Sequence, residues 1–177
     1  MRFITIGFSL LFFLCFNTFS IAQQIPLKDI YELRDKDSLV LKEFCLNNGF
    51  VLKEGKKDDI KISYVYETLD KKYRIEKTYP LNFTDSYTLY FYFNSNKELK
   101  AYRKEVLDQL FLLRGKSSTG SPEIYQTITE IYYNESDQVQ LSSSYSNGAS
   151  RGKAIVITKL LEVDKKRWPY IKPSTKI

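Results

Sequence analysis

Between Ile30 and Ile157 the apolar positions change period twice, and in the same way both times. Ile30, Leu33, Val40, Leu41 and Phe44 recur at helical spacing, as do Leu99, Val106, Leu107, Leu110 and Phe111. Strict alternation follows each run. It predicts strands over 60–67, 73–79 and 87–93, then over 125–133, 138–145 and 153–159. Tyrosine, valine, isoleucine, threonine and phenylalanine dominate these stretches, as a pleated, half-buried surface prefers. Segments 68–72 and 134–137 read as matched hairpin turns. Segment 50–53 adds a short strand to the first set only, and 116–119 reads as a polar loop.

The two sets superimpose on a shift of 66 positions without a gap. Asp29 and Ser95 each precede a glutamate by three residues, Glu32 and Glu98, which is the spacing of a capping box. Gly49 and Gly115 stand where a left-handed helix stop belongs. Ile62, Tyr66 and Tyr79 fall on Ile128, Tyr132 and Tyr145. A repeat of this length points to one structural unit used twice. The expected fold is α+β: tandem αβββ units whose antiparallel strands carry helices on one face, a two-layer sandwich. The expected boundaries are 23–94 and 95–163, with a tail over 164–177.

Alternation also assigns faces. Ile62, Tyr64, Tyr66, Tyr73, Ile75, Tyr79, Leu89, Phe91 and Phe93 belong under the helices. So do Ile128, Tyr132, Val139, Leu141, Tyr145, Ile155 and Ile157. The opposite face has no third layer to cover it. There Tyr90, Tyr92, Tyr125, Thr129, Ile131 and Tyr133 are the candidate binding residues. Tyrosine offers apolar area and a hydroxyl at low entropic cost, which suits contact.

The ends change the picture. Arg2, the apolar run 3–16 and the small-residue site Ser20-Ile21-Ala22 read as a cleaved secretory signal peptide over 1–22. That run is shorter than the ~20 residues of a spanning helix, so no transmembrane segment is expected after cleavage. Export implies a periplasmic or secreted protein. Cleavage leaves 155 residues, enough for one domain with a sizeable core. It also leaves Cys45 as the one cysteine, so no intramolecular disulfide can form. Cys45 falls on Phe111 in the repeat and reads as core.

The chain carries a net charge of +6, spread over Lys53, Lys56, Lys57, Lys71, Lys72, Arg74, Lys165, Lys166 and Arg167 among others. Acidic neighbours such as Glu54, Asp58 and Asp59 break the pattern. Solvated turns fit it better than a nucleic-acid stripe.

Candidate chemistry is thin. There is no histidine, which removes the usual base near neutral pH and the commonest metal ligand. Ser-His-Asp and Cys-His constellations cannot form. Gly115-Lys116-Ser117-Ser118 echoes a phosphate loop but lacks its earlier glycine. No cofactor and no metal are expected. The leading expectation is an exported, non-enzymatic binding module whose open face meets a protein or cell-envelope partner, with no nucleic acid involved. A self-associating envelope accessory, a homo-oligomer through the same face, is the alternative. A small hydrolase would need carboxylates on the open face, where only Glu67 and Glu76 fall. An apolar-ligand carrier would need a cavity between helices and sheet. The tandem layout is similar, in topology alone, to the secreted β-lactamase inhibitory proteins. That likeness implies a sheet turned toward a partner protein, and no residue role comes with it.

Overall fold

The structure is a computed structural model that describes residues 24–81, 87–121 and 123–160. The expected signal peptide and C-terminal tail lie outside them. In chain order come α1 (Leu27–Leu33), α2 (Ser38–Asn47), β1 (Phe50–Lys57), β2 (Lys61–Thr68), β3 (Arg74–Pro80) and β4 (Thr88–Phe93). Then follow α3 (Asn96–Asp108), β5 (Leu112–Ser121), β6 (Tyr125–Tyr133), β7 (Asp137–Ser146) and β8 (Ala149–Lys159). The eight strands form one antiparallel sheet in the order β1-β2-β3-β4-β8-β7-β6-β5. Each half is a four-stranded meander, and the last strands of both lie side by side at the centre.

Each half therefore has one strand more than the alternation predicts. β1 runs for eight residues where a short strand is expected, and β5 occupies the expected polar loop. Both are edge strands, held by one neighbour and largely exposed, so neither shows an apolar alternation. Each carries a register shift, at Leu52/Glu54 and at Leu113/Gly115. Bulges of this kind twist an edge away from further pairing. Gly115 is thus a strand residue and not a helix stop.

The first helix is also two. Asp37 caps α2, accepting from the Leu39 and Val40 amides at 2.9 Å. α1 begins after Pro26, so Asp29 sits inside its first turn and caps nothing. The Leu27 amide is satisfied by the Glu105 carboxylate of α3 at 2.8 Å instead. At α3 the expected cap holds: the Ser95 hydroxyl accepts from the Glu98 amide at 3.2 Å.

Leu27, Ile30 and Leu33 of α1, Leu41 and Cys45 of α2, and Leu99, Tyr102 and Val106 of α3 turn to one face of the sheet. They meet Tyr66, Tyr73, Ile75, Leu89, Phe91, Phe93, Tyr132, Val139, Leu141, Ile155 and Ile157. Phe91 and Phe93 pack edge-on against Tyr102, at 6.1 and 5.1 Å between ring centroids. Burying one such ring stabilises the fold by about 1.5–3 kcal/mol. The core is therefore the helix-side layer that alternation assigns. Ile62, Tyr64, Tyr79 and Tyr145 are half-buried at its margin, and Ile128 is exposed because β5 and β6 run past the core. Val40 and Leu107 face solvent.

A constant shift of 66 does not superimpose the two halves. Leu41, Cys45, the left-handed Gly49 and the buried Phe50 resemble Tyr102, Val106, the left-handed Leu110 and Phe111, 61 positions on, in burial and backbone hand. In the sheet, a shift of 66 would set Gln140 opposite Thr158, yet it stands opposite Val156. That difference of two residues keeps every side chain on its face.

Candidate functional site

The sheet face away from the helices carries no other layer among the described residues. Strand pairing arranges it in rows. One runs Val65, Glu76, Tyr90, Val156, Gln140, Ile131 and Gly115. The next runs Glu67, Arg74, Tyr92, Ala154, Ser142, Thr129 and Ser117. Tyr90, Tyr92, Tyr125, Thr129, Ile131 and Tyr133 all lie on this face, on β4 and β6. Tyr90, Tyr92, Thr129, Ile131 and Tyr133 are half-buried, and Tyr125 is exposed.

Hydroxyl pairs tie neighbouring strands together: Ser63 with Thr78 at 3.2 Å, Thr127 with Ser144 at 3.1 Å, Thr129 with Ser142 at 2.9 Å. Tyr90 and Tyr92 stack at 6.2 Å with nearly parallel rings. The Arg74 guanidinium lies 5.4 Å over the Tyr92 ring and pairs with Glu76 at 3.0 Å. Burial, and then the Glu76 charge, pushes the Tyr92 hydroxyl above its usual pKa. Hydrogen bonds with Ser144 and Thr127 hold that of Tyr125 below its own. In the half formed by β5 to β8 the paired rows of this face hold no charged residue, but Arg114, at the β5 register shift, donates to Gln138 of this face at 3.4 Å.

A concave place of about 340 Å³ lies at the end of β4. β4 stops at Phe93, while its neighbour β8 continues back to Ala149. The β2–β3 turn flanks the other side. Glu67, Arg74, Tyr92, Arg151, Ser142 and Tyr125, from six neighbouring strands, line this cleft with Lys71 of the turn. Lys153 stands opposite Phe93 and Ser143 on the helix side of the sheet, and its side chain is buried there. Its ammonium donates to the Asn94 carbonyl at 3.1 Å and the Ser150 hydroxyl at 2.8 Å. Burial without a carboxylate lowers its pKa.

Two of the six expected binding residues, Tyr92 and Tyr125, thus share the cleft. Tyr90 backs Tyr92, while Thr129, Ile131 and Tyr133 lie on the sheet beside it. The charge at this cleft is what sequence reasoning missed. Lys71 and Arg74 look like a solvated turn until β4 and β8 are known to be neighbours, which brings Arg151 to the same cleft.

Glu76 is tied to Arg74, so Glu67 is the single carboxylate facing this cleft. Among the described residues no three histidine, cysteine, aspartate or glutamate side chains converge as metal ligands would. No described helix is long and apolar enough to cross a membrane. Cys45 is a buried core thiol, its pKa pushed up to about 12 by burial. Comparison with known proteins finds no matching family model, no similar curated protein and no similar solved structure.

Proposed function

We propose that this chain is an exported, non-enzymatic binding module that engages a protein or cell-envelope partner through its open sheet face. The observation that carries the reading is the face itself. Eight strands are covered by helices on one side, and on the other they present stacked tyrosines and a hydroxyl-rich surface. Such composition gives contact area with little entropic cost. Export rests on the character of the first 22 residues. The two helix-plus-meander halves are read as copies of one unit, supported by the mirrored strand order and the conserved face parity.

Co-sedimentation with isolated envelopes of the native host tests the reading. Wild-type protein is expected to sediment, and a Tyr92→Ala/Tyr133→Ala variant of unchanged fold is expected to stay in solution. Equal sedimentation of both would refute it. Solution mass separates the alternative: a dimer that the same variant dissociates would assign the face to a second copy of the chain.

A further inference from the structure

The chain contains two Asn-Gly pairs, Asn48-Gly49 and Asn147-Gly148, and the fold holds them differently. An asparagine side chain can react with the main chain that follows it. The next backbone nitrogen attacks the side-chain amide carbon, and a glycine there puts no side chain in the way. Closing the imide ring eclipses that nitrogen with the asparagine Cβ. The asparagine ψ then stands at about −120°, the value found at the first central position of a type II′ turn.

Asn147 and Gly148 are the central residues of the β7–β8 hairpin, between the paired Ser146 and Ala149. Both have positive φ, 51° and 73°, which is the type I′ arrangement. Type I′ and type II′ turns share the positive φ of the first residue and differ in the peptide that joins the two. Asn147 therefore already holds the φ that the imide requires, and Gly148 follows the turned peptide without steric cost. The Asn147 amide donates to the Ile124 carbonyl at 3.2 Å, a bond on the other side of Asn147 that this turn leaves in place. Among the described residues no hydrogen bond holds the Gly148 amide or the Asn147 side chain. Both residues are exposed, and nothing lies within 4 Å of a Cβ placed on Gly148.

Asn48 ends α2 with φ −101° and ψ 17°. Its side-chain amide donates to the Phe44 carbonyl at 2.9 Å. The Gly49 amide, the attacking group in this pair, donates to the Leu46 carbonyl at 3.2 Å. Phe50 follows at once and is buried in the core, which fixes the chain beyond the helix end.

We propose that Asn147 is a site of spontaneous deamidation, a modification from which the fold protects Asn48. The Gly148 nitrogen gives its proton to solvent base and bonds to the Asn147 side-chain carbon. The side-chain nitrogen takes a proton from water and leaves as ammonia. Water then opens the imide at either carbonyl, giving aspartate or isoaspartate with no change in oxidation state. The new carboxylate stands at the tip of the hairpin whose strands bring Ser144 and Arg151 to the cleft at the end of β4. Aspartate preserves the turn, because Asp-Gly suits type I′ as Asn-Gly does. Isoaspartate lengthens the main chain inside the loop and conflicts with the Ser146–Ala149 pairing.

Incubation of the folded protein at mildly alkaline pH tests the proposal, with peptide mapping by a mass spectrometric method that separates aspartate from isoaspartate. Asn147 should convert at least about tenfold faster than Asn48, whose reaction must first break the bonds to Phe44 and Leu46. In urea the two pairs should convert at similar rates, since the protection of Asn48 belongs to the fold. Conversion of Asn147 no faster than that of Asn48 in the folded protein would overturn the proposal. So would an Asn147 that stays intact in the folded protein over a period in which it converts in urea.

Discussion

The ammonium of Lys77 donates a hydrogen bond to the Leu33 carbonyl at 2.6 Å, and through it β3 caps the end of α1. It also donates to the Lys36 carbonyl, so one buried side chain closes the break between α1 and α2. The rings of Tyr79 and Tyr87 lie 4.6 and 5.5 Å from it. Asp35, Asp37 and Arg34 are the charges around it.

Burial lowers the Lys77 pKa from 10.5 to about 8, against the opposing pull of Asp35 and Asp37. Between those values the unfolded chain holds a proton that the folded chain has released. Stability therefore rises with pH across this window, by about 1.4 kcal/mol per unit at most. Above pH 10 the buried Tyr79 acts the other way, because burial raises its pKa and only the unfolded chain ionises there. Urea unfolding of wild type and Lys77→Met at pH 7, 8, 9 and 10 checks this. The wild type should gain on the variant from pH 8 to 10, and parallel profiles would contradict the assignment.

Leu41 is fully buried, whereas Leu107 is 49% exposed. Leu41→Ala should cost about 2–5 kcal/mol of unfolding free energy. Leu107→Ala should stay within about 0.5 kcal/mol. The contrast tests the shift of 61 in the helices, since the constant shift of 66 makes these two residues equivalents. Equal losses would restore the uniform repeat.

Arg34 and Asp137 form a buried ion pair that joins α1 to β7, across the two halves. Asp137 also accepts from the Tyr31 and Ser136 hydroxyls. Removing either charge leaves the other without its buried counter-charge, at a cost of about 3–5 kcal/mol. Replacing both, as Arg34→Met/Asp137→Leu, should cost much less than the two single losses together. A double-mutant cycle by chemical denaturation measures the difference, and simple additivity would show that the pair does not hold the halves together.

These elements also explain what the sequence reveals. Strand faces are legible because burial of Leu89, Phe91 and Phe93 enforces a period of two. The Ser95 cap and the left-handed Gly49 are legible because their chemistry is local. β5 is not: Gly115, Lys116, Ser117 and Ser118 form a strand through pairing with β6, with little burial to shape the sequence. The break between α1 and α2 is hidden too, since Asp37 interrupts a run that still looks apolar at helical spacing. The contacts at that break, Arg34 to Asp137 and Lys77 to Leu33, are tertiary. The cleft is hidden for the same reason. Lys71 and Arg151 line one cleft only because β4 and β8 pair at the centre.

The open face separates binding from stability. Tyr92 and Tyr133 are half-buried on the side away from the core, so truncating them gives up less packing than truncating Leu41. If they anchor a partner, Tyr92→Ala/Tyr133→Ala should weaken association by at least about 1–2 kcal/mol, the scale of aromatic anchors. The melting temperature should fall by less than it does for Leu41→Ala. Part of that fall belongs to Tyr92, whose ring packs between Tyr90 and Arg74. Tyr90→Ala alone therefore serves as the control, because it loosens the stack without entering the cleft. A sharp drop in melting temperature with association untouched would place these tyrosines among the supports of the sheet. The binding reading would then lose its aromatic anchors.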